Sequence, residues 1–332
     1  MSETHDTPSN RNAPMTAKQT LRSTLWSLGL ILLLHLAVSL IYTTRIPLGE
    51  APDELAHLGY AKFIATHGRL PVTLAERQEA DYRAELPPLY YLMVAQPLTW
   101  VPDVAPYKLK SVGDTPRRLI PTNGQTIASF IHTTDEAWPW RGIVLGWHLS
   151  RLISIGFALL TLIVTYLIAW RLTQNRTVAL TTTSVQAFIP QFLFIGAVLN
   201  EDTLVMFLSS LTFLTLIAYT HPPRLPGVWQ TFLLGSLLGL ATVAKYNALP
   251  LWPVVILWTA WLAYQAQKKA VSLGQLIKKF VVHGLLFILG VGLMSGWWFG
   301  FIWQHFNQVE QLGLISGSLA SLFTNTTDLT LR

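Results

Sequence analysis

The chain has 332 residues, of which 51% are hydrophobic and only 12% charged; it carries 13 Trp, no Cys and a formal net charge of +6. A soluble domain has about 25% charged residues, so this composition excludes an ordinary soluble protein and describes a multi-pass membrane protein. The absence of cysteine excludes disulfides, thiolate catalysis and cysteine-based zinc sites. The basic residues fall between apolar runs and are not interleaved with stacking aromatics, a pattern of membrane topology and not of nucleic-acid binding.

Residues 1–20 are polar and read as a disordered cytoplasmic tail, with no short apolar core and cleavage site of a signal peptide. A transmembrane module is expected over residues 21–305. A helical span needs about 20 apolar residues, and seven stretches qualify: Leu25–Tyr42, Leu152–Trp170, Thr177–Leu199 with a kink at Pro190, Thr203–Thr220, Val228–Ala244, Ala248–Tyr264 and Phe280–Trp303. His35, Gln186, Gln191 and His283 fall inside these spans and are expected to face the bundle interior as helix-packing hydrogen bonds. With a cytoplasmic N-terminus, Lys18, Arg22, Arg171, Arg176, Arg224, Lys268, Lys269, Lys278 and Lys279 all fall on one side. The opposite short loops hold Glu201, Asp202 and Lys245, so the positive-inside bias supports this orientation. An eighth span at Leu86–Val101 would invert every later loop. That run is short and contains Pro87, Pro88 and Pro97, so it reads as an interfacial helix.

The count leaves a large outer loop over residues 43–150. It opens with Pro47-Leu-Gly-Glu-Ala-Pro-Asp-Glu-Leu-Ala-His-Leu-Gly-Tyr60 and continues into Glu85-Leu-Pro-Pro-Leu-Tyr-Tyr91, Asp114-Thr-Pro-Arg-Arg118 and His132-Thr-Thr-Asp-Glu136. A loop of this length is functional or disordered, and two amphipathic stretches with aromatic anchors, at 53–66 and 86–101, argue for order. Residues 306–332 form an outer C-terminal segment.

Several polar groups are thereby expected on one membrane face: Asp53, Glu54, His57, Glu85, Arg151, Asn200, Glu201, Asp202 and Lys245. Helical spacing places Asp53, Glu54 and His57 on a shared face. A carboxylate there can act as general base, and Lys245 or Arg151 can offset negative charge on a departing phosphate. Asp53 and His57 are also candidate ligands of a divalent cation, although two or three ligands without Cys are a weak metal signal. Simpler readings stand beside these. Asp53 can cap its helix, Glu54 and His57 can be a surface pair, and Glu201 and Asp202 can be solvated caps. Lys245 and Arg151 can anchor at the interface, and Tyr90 and Tyr91 can belong to an aromatic belt.

Pro52-Asp-Glu54 with His57 and Tyr60, followed by Pro87-Pro-Leu-Tyr-Tyr91, resembles the signature of the GT-C class of membrane glycosyltransferases. It is most similar to a bacterial family with a Pro-Asp-Glu-x-x-His-x-x-Tyr stretch. Arg151-Leu-Ile-Ser154, Asn200-Glu-Asp202 and Lys245-Tyr246 are supporting marks, and protein O-mannosyltransferases and aminoarabinose transferases of lipid A are more distant relatives by architecture. The resemblance covers residues 20–305. It implies an all-α bundle in the bacterial plasma membrane that moves a sugar from a polyprenyl-phosphate donor to an outer-face acceptor (cell-envelope glycan, lipid or protein). Asp53 then stands for the catalytic carboxylate, Glu54 and His57 assist, and Tyr60, Glu85, Tyr90, Arg151, Asn200, Glu201, Asp202 and Lys245 bind substrate. Relatives usually continue through further spans and carry an Arg-Asn pair where this chain has Gly300-Phe-Ile-Trp303. A non-catalytic remnant, or a split protein that relies on a partner subunit for the missing region, is therefore one alternative, and a flippase or transporter of lipid-linked glycans is another.

Overall fold

The computed structural model describes residues 17–81, 84–101, 110–111, 130–220, 226–267 and 273–306. Their regular secondary structure is helical apart from one two-residue antiparallel ladder, in which Lys110 pairs with Ile131 and Ser111 with Phe130. The Asp114–Arg118 turn and most of the N- and C-terminal segments lie outside the described residues. Residues 17–20 belong to the first helix and not to a disordered tail, because α1 runs over Ala17–Arg45.

Helices occupy all seven apolar stretches. They are α1, α6 (Gly142–Thr173), α7 (Arg176–Ala187) with α8 (Pro190–Gly196), α9 (Asp202–Ile217), α10 (Val228–Ala244), α11 (Leu251–Gln267) and α12 (Leu273–His305). Among the described residues, Leu21–Arg45, Gly142–Thr173 and Phe280–His305 are long and apolar enough to cross a membrane, and α7 with α8 makes a fourth if the pair is one span bent by 65°. The bend follows from Pro190, which lacks the N–H an unbroken helix needs and forces the preceding residue out of the helical region; Ile189 is extended. Helices α9 and α10 are shorter apolar helices.

Side-chain contacts fix the helix directions. The Arg176 guanidinium donates to Ser23 Oγ at 2.8 Å, so α1 and α7 begin at the same end. Glu54 joins Arg151 in the N-terminal part of α6 to Leu199 just before α9, and Phe157 stacks on Phe207 further along, so α6 and α9 share a direction. Helix α10 runs opposite to α9 and parallel to α12, with Gly235, Gly239 and Gly290 at the seam. A Cβ on Gly235 or Gly290 would collide with the carbonyl oxygen of Phe287 or Phe232, and one on Gly239 would lie 2.9 Å from that of Val291. Small residues four apart let helix backbones touch in this way. His283 Nδ1 lies 2.7 Å from Thr231 Oγ1 across the same seam, and His35 Nδ1 lies 2.8 Å from the Ala187 carbonyl, so both act as packing groups. Gln191, by contrast, is exposed. Consecutive apolar helices therefore alternate in direction. The C-terminal ends of α1, α8, α10 and α12 meet the N-terminal ends of α6, α9 and α11 at one end of the bundle.

The loop between α1 and α6 packs over that end. Its first helix is α2 (Glu54–His67), followed by α3 (Leu74–Glu79), which Thr73 and Glu76 start with a capping box. The run at 86–101 is not one interfacial helix but two short ones, α4 (Leu89–Val94) and α5 (Gln96–Thr99), with Pro97 in the first turn of the second. Tyr60, Phe63, Tyr90, Tyr91, Val94 and Leu98 pack there with Trp147 of α6 and Leu199 and Leu204 of the α8–α9 region in the largest apolar cluster. At the far edge the Arg77 guanidinium lies 4.6 Å over the ring of Phe306, which ties α3 to the end of α12.

Candidate functional site

On the third turn of α6, Arg151 is fully buried against an equally buried Glu54. Its Nε donates to Glu54 Oε1 at 2.7 Å and its Nη2 to Oε2 at 2.6 Å, the parallel two-point geometry that a planar guanidinium makes with a carboxylate. Nη1 donates to the carbonyls of Thr43 (2.8 Å) and Ile46 (2.9 Å), and Nη2 also to that of Pro47 (3.4 Å). All five guanidinium N–H groups are thus engaged, and none is left for a phosphate in this arrangement. The Glu54 carboxylate further accepts the N–H of Leu199 at 2.9 Å and of Gly49 at 3.1 Å. One ion pair therefore joins the end of α1, the 47–54 loop, α6 and the α8–α9 turn. A buried pair of this kind is tolerable only because every polar atom has a partner.

A second network lies beside it. His57 is buried on α2, with Nδ1 2.8 Å from the Tyr91 hydroxyl and Nε2 3.1 Å from Glu201 Oε2. Tyr91 also donates to Glu201 Oε2 at 3.4 Å. Lys245 follows α10 and places Nζ 3.1 Å from Glu201 Oε1 and 2.6 Å from Asp202 Oδ1. Burial alone would raise the Glu201 carboxyl, but His57 and Lys245 outweigh it and hold that group below the usual carboxylate range. Burial likewise opposes the charge on Lys245, and Glu201 and Asp202 overcome it and raise the ammonium. Tyr90 shares a 2.7 Å hydrogen bond with Ser154 and accepts the Asn200 N–H at 2.8 Å. The Asn200 side chain in turn receives the Asp202 N–H at 2.8 Å.

Tyr60 is fully buried, its ring 4.5 Å from that of Tyr91. Burial pushes its hydroxyl well above the usual phenol range, with further push from the charge of Glu85 and from Tyr246. Tyr246 is pushed up to about 12 by burial, against a 3.0 Å hydrogen bond received from Trp298.

Asp53 differs from all of these. It is exposed, its backbone is left-handed at φ 59°, and its side chain makes no helix-capping hydrogen bond. The capping reading therefore fails. Its carbonyl serves the helix by accepting the His57 N–H at 3.0 Å. A non-glycine residue in this region is uncommon and carries strain of order 1–3 kcal/mol, a feature that clusters at functional sites.

Glu54, His57, Tyr60, Tyr90, Arg151, Asn200, Glu201, Asp202 and Lys245 thus gather at one end of the bundle, with Glu85 within electrostatic reach of Tyr60 and Asp53 exposed at the head of α2. Both ring nitrogens of His57 are engaged, Nδ1 with Tyr91 and Nε2 with Glu201. Among the described residues no group of three or more His, Asp or Glu is disposed to hold a metal ion. Sequence reasoning treated Tyr91 as an aromatic-belt residue, whereas it is buried and joins His57 to Glu201; its place in the Pro-Pro-Leu-Tyr-Tyr stretch was the available signal. Ser154, which the sequence offered only within the Arg151-Leu-Ile-Ser154 mark, bonds Tyr90, and a third cluster forms where His132 stands 2.8 Å from Glu136 and 3.2 Å from Glu50. Burial would lower His132, but its hydrogen bonds to these two carboxylates prevail and raise it.

The class defined by these features is a helical membrane protein with a buried ionic site at one end of its bundle. The family model of dolichyl-phosphate-mannose-protein mannosyltransferase matches residues 146–309, just under half of the chain, and this match supports a GT-C-type glycosyltransferase. The matched region contains Arg151, Asn200, Glu201, Asp202 and Lys245; the Asp53 and Tyr90 stretches precede it. No curated protein and no solved structure matches the chain.

Proposed function

We propose that the chain transfers a sugar from a polyprenyl-phosphate carrier to an acceptor at the outer face of a bacterial plasma membrane, which it crosses seven times from a cytoplasmic N-terminus. The alternating helix directions support the seven crossings. The end that bears Ser23, Arg171 and Arg176 is then the cytoplasmic one, and the ionic site faces out. The donor class comes from the name of the matched family, whose members take mannose from dolichyl phosphate.

The observation that carries the chemistry is the contrast between Asp53 and its neighbours. Glu54 and Glu201 are buried, whereas Asp53 presents an exposed carboxylate on a left-handed backbone beside them. In the proposed reaction Asp53 removes the proton of the acceptor as the acceptor attacks the anomeric carbon. The bond from that carbon to the phosphate oxygen breaks with inversion, and the electron pair leaves on the carrier phosphate. Lys245 is the cation assigned to this charge, since part of its side chain is exposed whereas Arg151 is sealed. Glu54, Arg151, His57 and Tyr91 hold the 47–54 loop and α2 on the bundle, so that Asp53 is positioned and does not swing freely.

The test is transfer of labelled sugar by the purified chain in proteoliposomes, with polyprenyl-phosphate hexoses and pentoses as donors and envelope extract as acceptor. Carrier-dependent incorporation is expected for at least one donor. If no donor gives incorporation or hydrolysis with folded protein, the proposal falls.

A further inference from the structure

Most buried hydroxyls within the helices find partners: Ser150 donates to the Val94 carbonyl, Ser154 bonds Tyr90, and others bond back to their own helix. Thr161, Thr183, Thr212, Thr242 and Ser295 each donate to the carbonyl one turn earlier, at 2.8–2.9 Å. That is the default way to satisfy a hydroxyl inside a membrane helix. Ser39 and Thr43 of α1 depart from it. Both are buried, at 0% and 3% exposure, and neither hydroxyl has a hydrogen-bond partner among the described residues.

One turn below Ser39 stands His35, also fully buried. Its Nδ1 faces the Ala187 carbonyl at 2.8 Å. A carbonyl only accepts, so Nδ1 carries the proton and Nε2 is a bare acceptor. That Nε2 has no partner either. Residues 35, 39 and 43 recur every four, share one face of α1 and rise about 6 Å per step. The face thus offers hydroxyl donors without an acceptor above an imidazole acceptor without a donor. Its upper end adjoins the clamp, because the Thr43 carbonyl is one that Arg151 holds. Its lower end adjoins the break between α7 and α8, because His35 holds the Ala187 carbonyl just before Pro190.

We propose that this face of α1 binds a file of ordered water that joins the Glu54–Arg151 clamp to the break between α7 and α8. Water both accepts and donates, so it takes the Ser39 and Thr43 protons and gives one to His35 Nε2. Buried water serves otherwise unsatisfied polar groups in this way. The file also supplies a hydrated route from the site end of the bundle to an imidazole deep in the helical segment.

Hydroxyl-radical footprinting by X-ray radiolysis reads such water directly, because radicals form where bound water sits. The full chain in nanodiscs is expected to show oxidation of His35 well above that of Phe63, a comparably buried residue in the loop packing. The Ser39→Ala/Thr43→Val pair is expected to lose that oxidation and to melt at a lower temperature. His35 oxidation at the Phe63 level in the wild type overturns the proposal. So does a melting temperature that is unchanged or raised in the double variant, since removing truly unpartnered buried hydroxyls is neutral or favourable.

Discussion

Replacing Arg151 by Leu removes the cation from a site where Glu54 has no exposure. The remaining carboxylate keeps only the Leu199 and Gly49 N–H groups, and the carbonyls of Thr43, Ile46 and Pro47 lose their shared donor. Breaking one side of a buried ion pair costs about 3–5 kcal/mol, and at roughly 2–4 °C per kcal/mol for a large domain the melting temperature drops by the order of 10 °C. Glu54→Leu is expected to fall in the same range, because it strands the guanidinium. The double variant removes both charges and is expected to cost less than the sum by about 2–3 kcal/mol, the upper part of the range for contacting pairs. Arg151→Lys retains the charge but loses the fork and two of five donors, so it falls between wild type and Arg151→Leu. Thermal unfolding followed by intrinsic fluorescence in one detergent provides the measurement, aided by the 13 Trp. Single variants within about 1 kcal/mol of wild type, or strictly additive effects, would refute the clamp, since neither outcome is compatible with a sealed and mutually dependent pair.

Other consequences follow from particular contacts. Gly235→Ala and Gly290→Ala place a methyl against the backbone of the facing helix and are expected to cost about 1–3 kcal/mol each, whereas Gly284→Ala and Gly292→Ala meet nothing within 4 Å and should be neutral or stabilising by up to about 1 kcal/mol; thermal unfolding of the four variants decides. His132 titrates above its ordinary value of 6.5 when folded. Its contribution to stability is therefore full below that value and is lost as pH rises through the folded one. Amide protection factors at residues 130–136, corrected for the intrinsic pH dependence of exchange, should fall as pH rises above 6.5 in the wild type, and His132→Gln should flatten that dependence. Tyr91→Phe keeps the ring packing but removes the hydroxyl shared by His57 and Glu201; a fall in turnover with an unchanged KM is expected if that bridge positions α2, and unchanged turnover would remove Tyr91 from the site.

The apolar stretches were readable because a membrane helix declares itself by length and composition, and Val228–Ala244 coincides with α10 to the residue. The gathering of Asp53, Glu201, Asp202 and Lys245 at one end followed from alternating helix direction, which needs no knowledge of packing. The partnerships were not readable. Glu54 and Arg151 are 97 positions apart, and nothing local in either segment indicates that the two seal each other from solvent. On spacing alone Glu54 belonged with His57 as a surface pair, whereas helical geometry turns both inward to different partners. The 86–101 run was legible as non-spanning from its prolines, but its division into two short helices depends on packing against α2 and α6. Ser39 and Thr43 looked unremarkable because a lone hydroxyl in an apolar run normally back-bonds to its own helix.

The central claim is that the exposed carboxylate of Asp53, and not either buried glutamate, accepts the acceptor's proton. Asp53→Asn tests it most directly, since asparagine tolerates the same left-handed backbone and leaves the clamp untouched. In a single-turnover assay with saturating polyprenyl-phosphate sugar, the variant is expected to melt with the wild type and lose about 10²–10⁴-fold in rate, the usual contribution of a general base. A folded Asp53→Asn protein that transfers sugar at the wild-type rate would contradict the account.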